Sequence, residues 1–565
     1  MLKGERSYQR GQENLVPSNN ASSIPESQVI PKAQENPWYI QHFTRLLIGF
    51  GLGGGAIALV LPWMLWLFCG MSSGSSDQLR LHLLYVTGGV IAVLTLLQTN
   101  WKNQGDRIKI DADIKKNEQD AEKNERDHIR QVHAERRSRY TKAVEQLADE
   151  KAAVRLGGIY TLVGLVDEWL ADETLDPEEQ QKEGQVIINN LCSYSRSPFP
   201  LAEKIDEYEA RQELKELESK KPDTLLPDES SKLDTLRKRF EDSAEYQEPD
   251  NIAALQAAFH EEQDVRRAIF EEMSKRSSKV SMGKNKKVTV TPGTWSTFGF
   301  DFSRAPIFYP LNNLTIEQGN FVSARFYGEA DFGGAKFAGA ADFRDAKFAG
   351  AADFRDAKFA GAADFGGAEF TGLAYFDYAE FAGGHAEFDE AADFNNAKFT
   401  GNANFENAMF AGDADFDGAK FAGAAYFGEA EFAGTADFDG AKFARAAGFG
   451  NATFTENAYF SSAEFTEDAY FRGAKFSGKT SFEEAYFEKC APIFADASNS
   501  ARFSAQVDPQ DYLFEEHPES PHGFSCGTAK LLNRTFVLPF GAVLYDPDSW
   551  DEEKQDYTRV SEPAQ

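Results

Sequence analysis

Two long apolar runs come first along this chain. Leu46 to Cys69 (LLIGFGLGGGAIALVLPWMLWLFC) has about 24 residues without a charge, enough for a helix to cross a ~30 Å hydrocarbon core. Residues 81–99 (LHLLYVTGGVIAVLTLLQT) are shorter, carry His82 near one end and are followed by Trp101 and Lys102 as interfacial anchors. The pattern predicts a transmembrane hairpin over 44–100, with a re-entrant second segment as the alternative. About forty polar residues, including Lys3, Arg6, Arg10 and Lys32, precede it, which sets the first run too deep for a cleavable signal peptide. Residues 1–43 are expected to be a disordered tail. Lys102, Arg107, Lys109, Lys115, Lys116 and Lys123 follow the second run, whereas only MSSGSSDQLR separates the two. The positive-inside bias therefore predicts both termini in the cytoplasm. Gly49, Gly51, Gly53 and Gly55 form overlapping GxxxG pairs, which would let the first helix approach the second or join two copies into a homo-oligomer. Plain helix flexibility is the alternative.

Beyond the hairpin the pattern turns helical and charged. Within 101–138, Ile110, Ile114, Asn117, Ala121, Asn124 and His128 recur at spacings of four and three, a polar seam that makes a weak coiled coil at best. A solvated stalk is the plainer expectation. His128 and His133 have no carboxylate or cysteine at ligand spacing, so no metal site is expected there. From Arg139 to Leu170, Val144, Leu147, Val154, Leu156, Ile159, Leu162, Val163 and Val166 keep the period of a helix with one packed face. Residues 186–199 and 265–276 read as further helices of the same small domain, 139–285, which a Lys/Glu/Asp-rich insertion interrupts at about 203–250.

A different period takes over at Phe321. Phenylalanine recurs at alternating steps of five and six, as in Phe332, Phe337, Phe343, Phe348, Phe354, Phe359, Phe365 and Phe370, usually with Ala two residues before. A repeat this regular decides the fold ahead of local propensity. An eleven-residue period also suits a right-handed helical supercoil. Yet Phe five apart would point ~140° apart on a helix, and a Gly in nearly every repeat would cost about 0.8–1 kcal/mol each. A flat strand fails too, because a step of five alternates faces. The chain must turn a corner at every step.

Read as A-x-F-x-x, the units resemble pentapeptide repeats. Arg139–Leu162, CSYSR at 192–196, TWSTFGFDFSRAPIFYPLNNLTI at 294–316 and LPFGAVLYDPDSW at 538–550 resemble a bacterial family of membrane-attached pentapeptide-repeat proteins. That resemblance covers most of the chain after residue 40. It implies a short helical domain between membrane and repeats, in the bacterial inner membrane, with no assigned activity. The implied fold is mixed: the transmembrane hairpin and α-helical domain, then an all-β right-handed quadrilateral β-helix over 286–490, regular from 321, and a C-terminal cap and tail at 491–565. In that family fold the aromatic and the preceding Ala point inward. Four sides need about 22 residues per coil, so 321–487 would make about seven or eight coils and, at ~4.8 Å each, a rod of roughly 35–40 Å. Phe332, Phe337, Phe343, Phe348, Phe354, Phe359, Phe365 and Phe376 are the expected core, each ring contributing about 1.5–3 kcal/mol. Between Phe381 and Phe394 the steps lengthen to seven and six, which predicts a bulged corner at Gly383, Gly384 and His385.

Charge narrows the function. A net charge of -31 argues against direct nucleic-acid binding. Cys69, Cys192, Cys490 and Cys526 are far apart without a CxxC pair, so neither a disulfide framework nor a thiolate metal site is expected, and the compartment reads as reducing. No nucleophile elbow, phosphate-binding glycine loop or HExxH is present. The acidic residues of the array repeat with the coil, whereas an acid/base pair would be singular. A non-enzyme is predicted, without catalytic residue, cofactor or metal. Asp331, Asp342, Asp353 and Asp364 each precede a long-step Phe, and Lys336, Lys347 and Lys358 the short-step ones. Asp331 should stack over Asp353, and Asp342 over Asp364 on the opposite face, giving two acidic ladders between two partly basic faces. Exposed Arg355 should tolerate Ala. The leading expectation is a membrane-anchored scaffold docking a basic cytoplasmic protein through these ladders; merely solubilising faces are the alternative. With 29 acidic against 14 basic residues over 321–490, DNA mimicry is a further alternative, as in the quinolone-resistance pentapeptide proteins that resemble duplex DNA and bind gyrase. A membrane sensor or channel accessory is the third.

Overall fold

The computed structural model describes residues 37–220, 226–241, 249–282, 288–382 and 390–565, and the described residues fall into two compact units divided between Arg130 and Gln131. The first unit holds α1 (Trp38–Gln41), α2 (Phe43–Cys69) and the beginning of α3 (Ser73–Leu147). Helices α2 and α3 are long and apolar enough to cross a membrane. Their apolar side chains face outward on every side, as at Leu52, Val60, Tyr85 and Leu96, the pattern of a helix suited to an apolar surround. Gly70, at φ 68°, ends α2, and α3 starts three residues later, so most of the polar linker between the two apolar runs is helical. Ser76 Oγ donates to the Pro62 carbonyl at 3.3 Å. Nearby, a Cβ on Gly54 would lie 2.4 Å from the Thr87 methyl. The close approach of α2 to α3 therefore belongs to Gly54. Gly49, Gly51, Gly53 and Gly55 have nothing within 4 Å and take no part in it.

In the second unit, α4 (Ala152–Leu170), α5 (Pro177–Arg196) and α8 (Ile252–Arg276) bury the helical apolar stripe through Ile159, Leu162, Val166, Ile188, Leu191, Val265 and Ile269. The charged insertion forms α6 (Leu201–Ser219) and α7 (Pro227–Phe240), which close over a small cluster of their own, Leu217, Leu233 and Leu236. One buried polar lock holds the helices in register. Arg266 donates to Glu262 (2.7 Å) and to the Ser195 carbonyl (2.9 Å), while Glu262 also accepts from Arg155 and the Tyr194 hydroxyl, both at 3.1 Å. At the end of α3, His133 lies 3.0 Å from Asp172, where Arg136 also lands. Sequence spacing could not reveal this pair, whose members are 39 residues apart.

The repeats form a four-sided solenoid of parallel sheets with ten, nine, seven and ten strands. The chain visits a first face (for example Ala341–Asp342), a second (Lys347–Phe348), a third (Ala352–Asp353) and a fourth (Lys358–Phe359), then returns to the first at Ala363–Asp364. Of the nine strands on the second face, all but Pro306–Ile307 lie within 321–487, which makes eight coils there. Phe332, Phe337, Phe343, Phe348, Phe354, Phe359, Phe365 and Phe376 are all buried. Ring sits on ring from coil to coil, with centroids 4.7 Å apart for Phe332–Phe354 and 4.9 Å for Phe354–Phe376. Rings of opposite faces meet edge-on across the interior, as at Phe343–Phe354, 5.8 Å and 86°.

Two kinds of corner explain the alternating step. After Phe343 the chain makes a type II turn, with Asp345 at φ 55° and the Ala346 amide donating to the Phe343 carbonyl at 3.0 Å. After Phe348 the longer step passes Gly350, where a Cβ would come within 2.1 Å of the Gly328 carbonyl oxygen one coil back. Only hydrogen fits. Within the regular array one coil is longer: Lys398 lies 29 residues from its cross-coil partner Glu369, against 22 for Lys347 and Glu369. Phe370 still stacks on Phe399 at 4.7 Å, so the insertion leaves the interior unbroken. Gly383, Gly384 and His385 lie outside the described residues.

The solenoid also extends beyond its regular sequence. It begins at Phe300–Asp301, and Arg502–Ser504, Tyr512–Leu513 and Val543–Tyr545 continue two of its faces. Phe270 of α8 covers the first end, 4.3 Å from Phe302. Phe514 and Phe524, with the hairpin Cys526–Leu531/Arg534–Pro539, close the other end.

Candidate functional site

The interior of the solenoid is filled with Phe and Ala, so its chemistry lies on its faces. On the first face Asp342, Asp364, Asp393, Asp415 and Asp437 stand in register, one per coil. On the third, opposite face Asp331 pairs with Asp353. These carboxylates have a structural duty. In each, Oδ1 accepts the amide two residues on: Gly333 for Asp331 (2.9 Å), Arg344 for Asp342 (3.1 Å), Arg355 for Asp353 (3.0 Å) and Gly366 for Asp364 (2.9 Å). Such Asx turns satisfy a corner N–H that the ladder leaves free. Asn320, Asn404 and Ser481 do the same at equivalent positions, so a neutral acceptor serves the corner as well as a charged one.

The two faces then diverge. After Asp353 the third face continues as Tyr375, Asn404, Tyr426, Gly448 and Tyr470. It is acidic only at its beginning and largely aromatic afterwards, which corrects the expectation of two equivalent ladders. Asp353 itself is 6% exposed and bound by Arg355, Nε to Oδ1 at 2.9 Å. Burial pushes its carboxyl up, and the side-chain and backbone hydrogen bonds from Arg355, with its charge, together outweigh that and hold it below its ordinary range. Arg355 thus neutralises a buried carboxylate and lies over the Tyr375 ring at 5.4 Å. It is not the free surface residue that its position suggested.

The first face keeps its aspartates, and Asp417 and Asp439 stand beside them. Arg344 bridges only the beginning, reaching Asp342 at 2.9 Å and Asp364 at 3.2 Å. Burial, with the charges of Asp393 and Asp342, pushes the Asp364 carboxyl up to about 6. Burial, with Asp439, Asp415 and Asp417, does the same for Asp437, again to about 6. Asp415 and Asp439 are raised as well, first by burial and then by neighbouring carboxylates.

The second and fourth faces are largely paired within themselves. Lys347 and Lys398 both hold Glu369, at 2.9 and 2.8 Å; Lys358 holds Glu380 at 2.8 Å, and Lys442 holds Glu464 at 2.7 Å. Lys336 lies beside Lys358 in register. No group of three or more His, Cys, Asp or Glu suited to a metal occurs among the described residues.

The family model for pentapeptide repeats (9 copies) matches overlapping segments at 343–391, 368–420, 384–431, 416–464 and 427–475. Residues 343–475 are pentapeptide repeats. No curated protein and no solved structure matches the chain. The pentapeptide-repeat solenoid is a structural repeat fold, generally without catalysis, and its exposed rigid faces suit a protein-interaction scaffold.

Proposed function

We propose that this chain is a non-enzymatic scaffold, anchored in the bacterial inner membrane by α2 and α3, whose pentapeptide-repeat solenoid docks a basic protein in the cytoplasm. The observation that carries the reading is the unbroken aspartate column from Asp342 to Asp437 on the first face, beside second and fourth faces whose ion pairs are already satisfied. Such a column supplies electrostatic complementarity and speeds encounter with a cationic surface more than it adds raw affinity. The positive charge following the second apolar run supports cytoplasmic termini.

Affinity capture from membranes tests docking. A partner's retention should fall with salt and with Asp364→Asn plus Asp415→Asn, which keep the corner acceptor and remove the charge. A partner indifferent to both would reject the first face as its dock. Topology has its own test: Cys490 and Cys526 should escape an impermeant thiol reagent on spheroplasts and react after lysis. Labelling before lysis would overturn the two-span arrangement.

A further inference from the structure

A cleft of about 450 Å³ opens where the turn between α5 and α6 meets the first coils of the solenoid. Its size is that of a small-molecule site. Its charge is unusual for so acidic a chain, because Arg196, Arg304 and Arg325 all line it. Arg196 is fixed from below, donating to the Asp301 carbonyl at 2.9 Å and to the Asp301 carboxylate. Arg304 is exposed; its backbone amide donates to the Val322 carbonyl at 2.9 Å, and its guanidinium has no hydrogen-bond or ion-pair partner among the described residues. The Arg325 side chain has one ion-pair partner among the described residues, Glu203 at 3.7 Å, with both side chains more than half exposed, and it also lies by the Tyr327 hydroxyl. Glu203 also accepts from the Tyr327 hydroxyl at 2.7 Å. One wall is apolar and planar: Phe199 lines the cleft and is held by its stack on Phe308, centroids 5.0 Å apart.

We propose that this cleft binds a nucleoside phosphate, with the phosphate on Arg304 and Arg325 and the base against Phe199. Guanidinium forks match phosphate oxygens in pairs and also stack on planar groups, and the flat wall gives a base its face. Glu203 is the internal competitor. It sits where an incoming anion would approach Arg325, and its long, exposed ion pair is weak enough to yield. The cleft is separate from the aspartate column, and its ligand does not depend on what docks there.

Calorimetric titration of the full-length chain in detergent with adenosine 5′-monophosphate, inorganic phosphate and adenosine tests the assignment. The monophosphate should bind about tenfold more tightly than phosphate, and adenosine should not bind detectably. Arg304→Ala with Arg325→Ala should weaken the monophosphate at least about tenfold, whereas Glu203→Gln, which keeps an acceptor for Tyr327, should strengthen it about threefold or more. Thermal melting of each variant checks that it is folded. No binding of the monophosphate, equal affinity for phosphate, or binding indifferent to the double substitution would each overturn the proposal.

Discussion

The first and third faces of the solenoid are built from the same eleven-residue unit, on equivalent two-residue strands of opposite sheets, yet they have become different surfaces. On the first, aspartate recurs from Asp342 to Asp437; on the third it stops at Asp353 and tyrosine follows. Where the residue before the long-step Phe carries an acceptor, Asp, Asn or Ser takes the amide two residues on; Tyr375, Tyr426, Gly448 and Tyr470 hold the same position without such an acceptor. The turn bond is therefore an option that the first face mostly keeps and the third face largely gives up.

Changes that break what the faces share should cost most. Phe354→Asp would set an unpaired carboxylate in the interior, and the full-length chain in detergent should lose several kcal/mol in urea unfolding. A loss below about 1 kcal/mol would refute the inward stack. Next come the two arginines, which sharpen the contrast. Arg355→Ala leaves the buried Asp353 without its counter-charge and should cost about 1–3 kcal/mol, recovered in part by adding Asp353→Asn. Arg344→Ala, beside the more accessible Asp342 and Asp364, should stay within about 1 kcal/mol. Equal costs would mean that burial does not distinguish the faces.

Acidity should act most strongly on the first face, although burial also raises Asp377 on the third. The Asp364 and Asp437 carboxyls stand near 6 in the folded chain against an ordinary 3.8. Between pH about 4 and 6 the native state therefore binds more protons than the unfolded one, and its stability rises as pH falls through that window. Melting should occur at higher temperature at pH 5 than at pH 7, by on the order of 1 kcal/mol per carboxyl. Asp364→Asn should flatten that slope; a slope unchanged by it would refute the origin. Below this window the depressed Asp353 and Glu369 carboxyls act in the opposite sense. The smallest effect is expected at one corner: Asp415→Ala should cost about 0.5–1.5 kcal/mol for the lost turn bond, while Asp415→Asn should be nearly neutral.

The interior was legible because every coil repeats the same answer. Phe at steps of five and six admits neither helix nor flat strand, and the buried rings follow. The faces were less legible because the eleven-residue period superposes two columns that only a 22-residue reading separates. Sorted that way, Tyr375, Tyr426 and Tyr470 fall into one column and Asp364, Asp393 and Asp415 into the other. The double role of the aspartates was hidden because one side chain is at once acceptor and charge, and Asn320, Asn404 and Ser481 were the only hint. Contacts such as His133 with Asp172, or Gly54 with Thr87, depend on how helices pack, which no local spacing records.

The half-coil unit also makes face identity a matter of parity. Inserting one eleven-residue block would turn all that follows it by half a revolution, carrying the aspartate column round to the tyrosine side. Inserting two would lengthen the rod and leave every column in line. The near-identical blocks AKFAGAADFRD at 335–345 and 346–356 are offset by one such unit, and there alone Asp331, Asp342, Asp353 and Asp364 alternate sides. That stretch reads as the youngest part of the array, where neighbouring units have not yet taken on separate identities, and lineages that keep distinct sides should gain or lose repeats in even numbers.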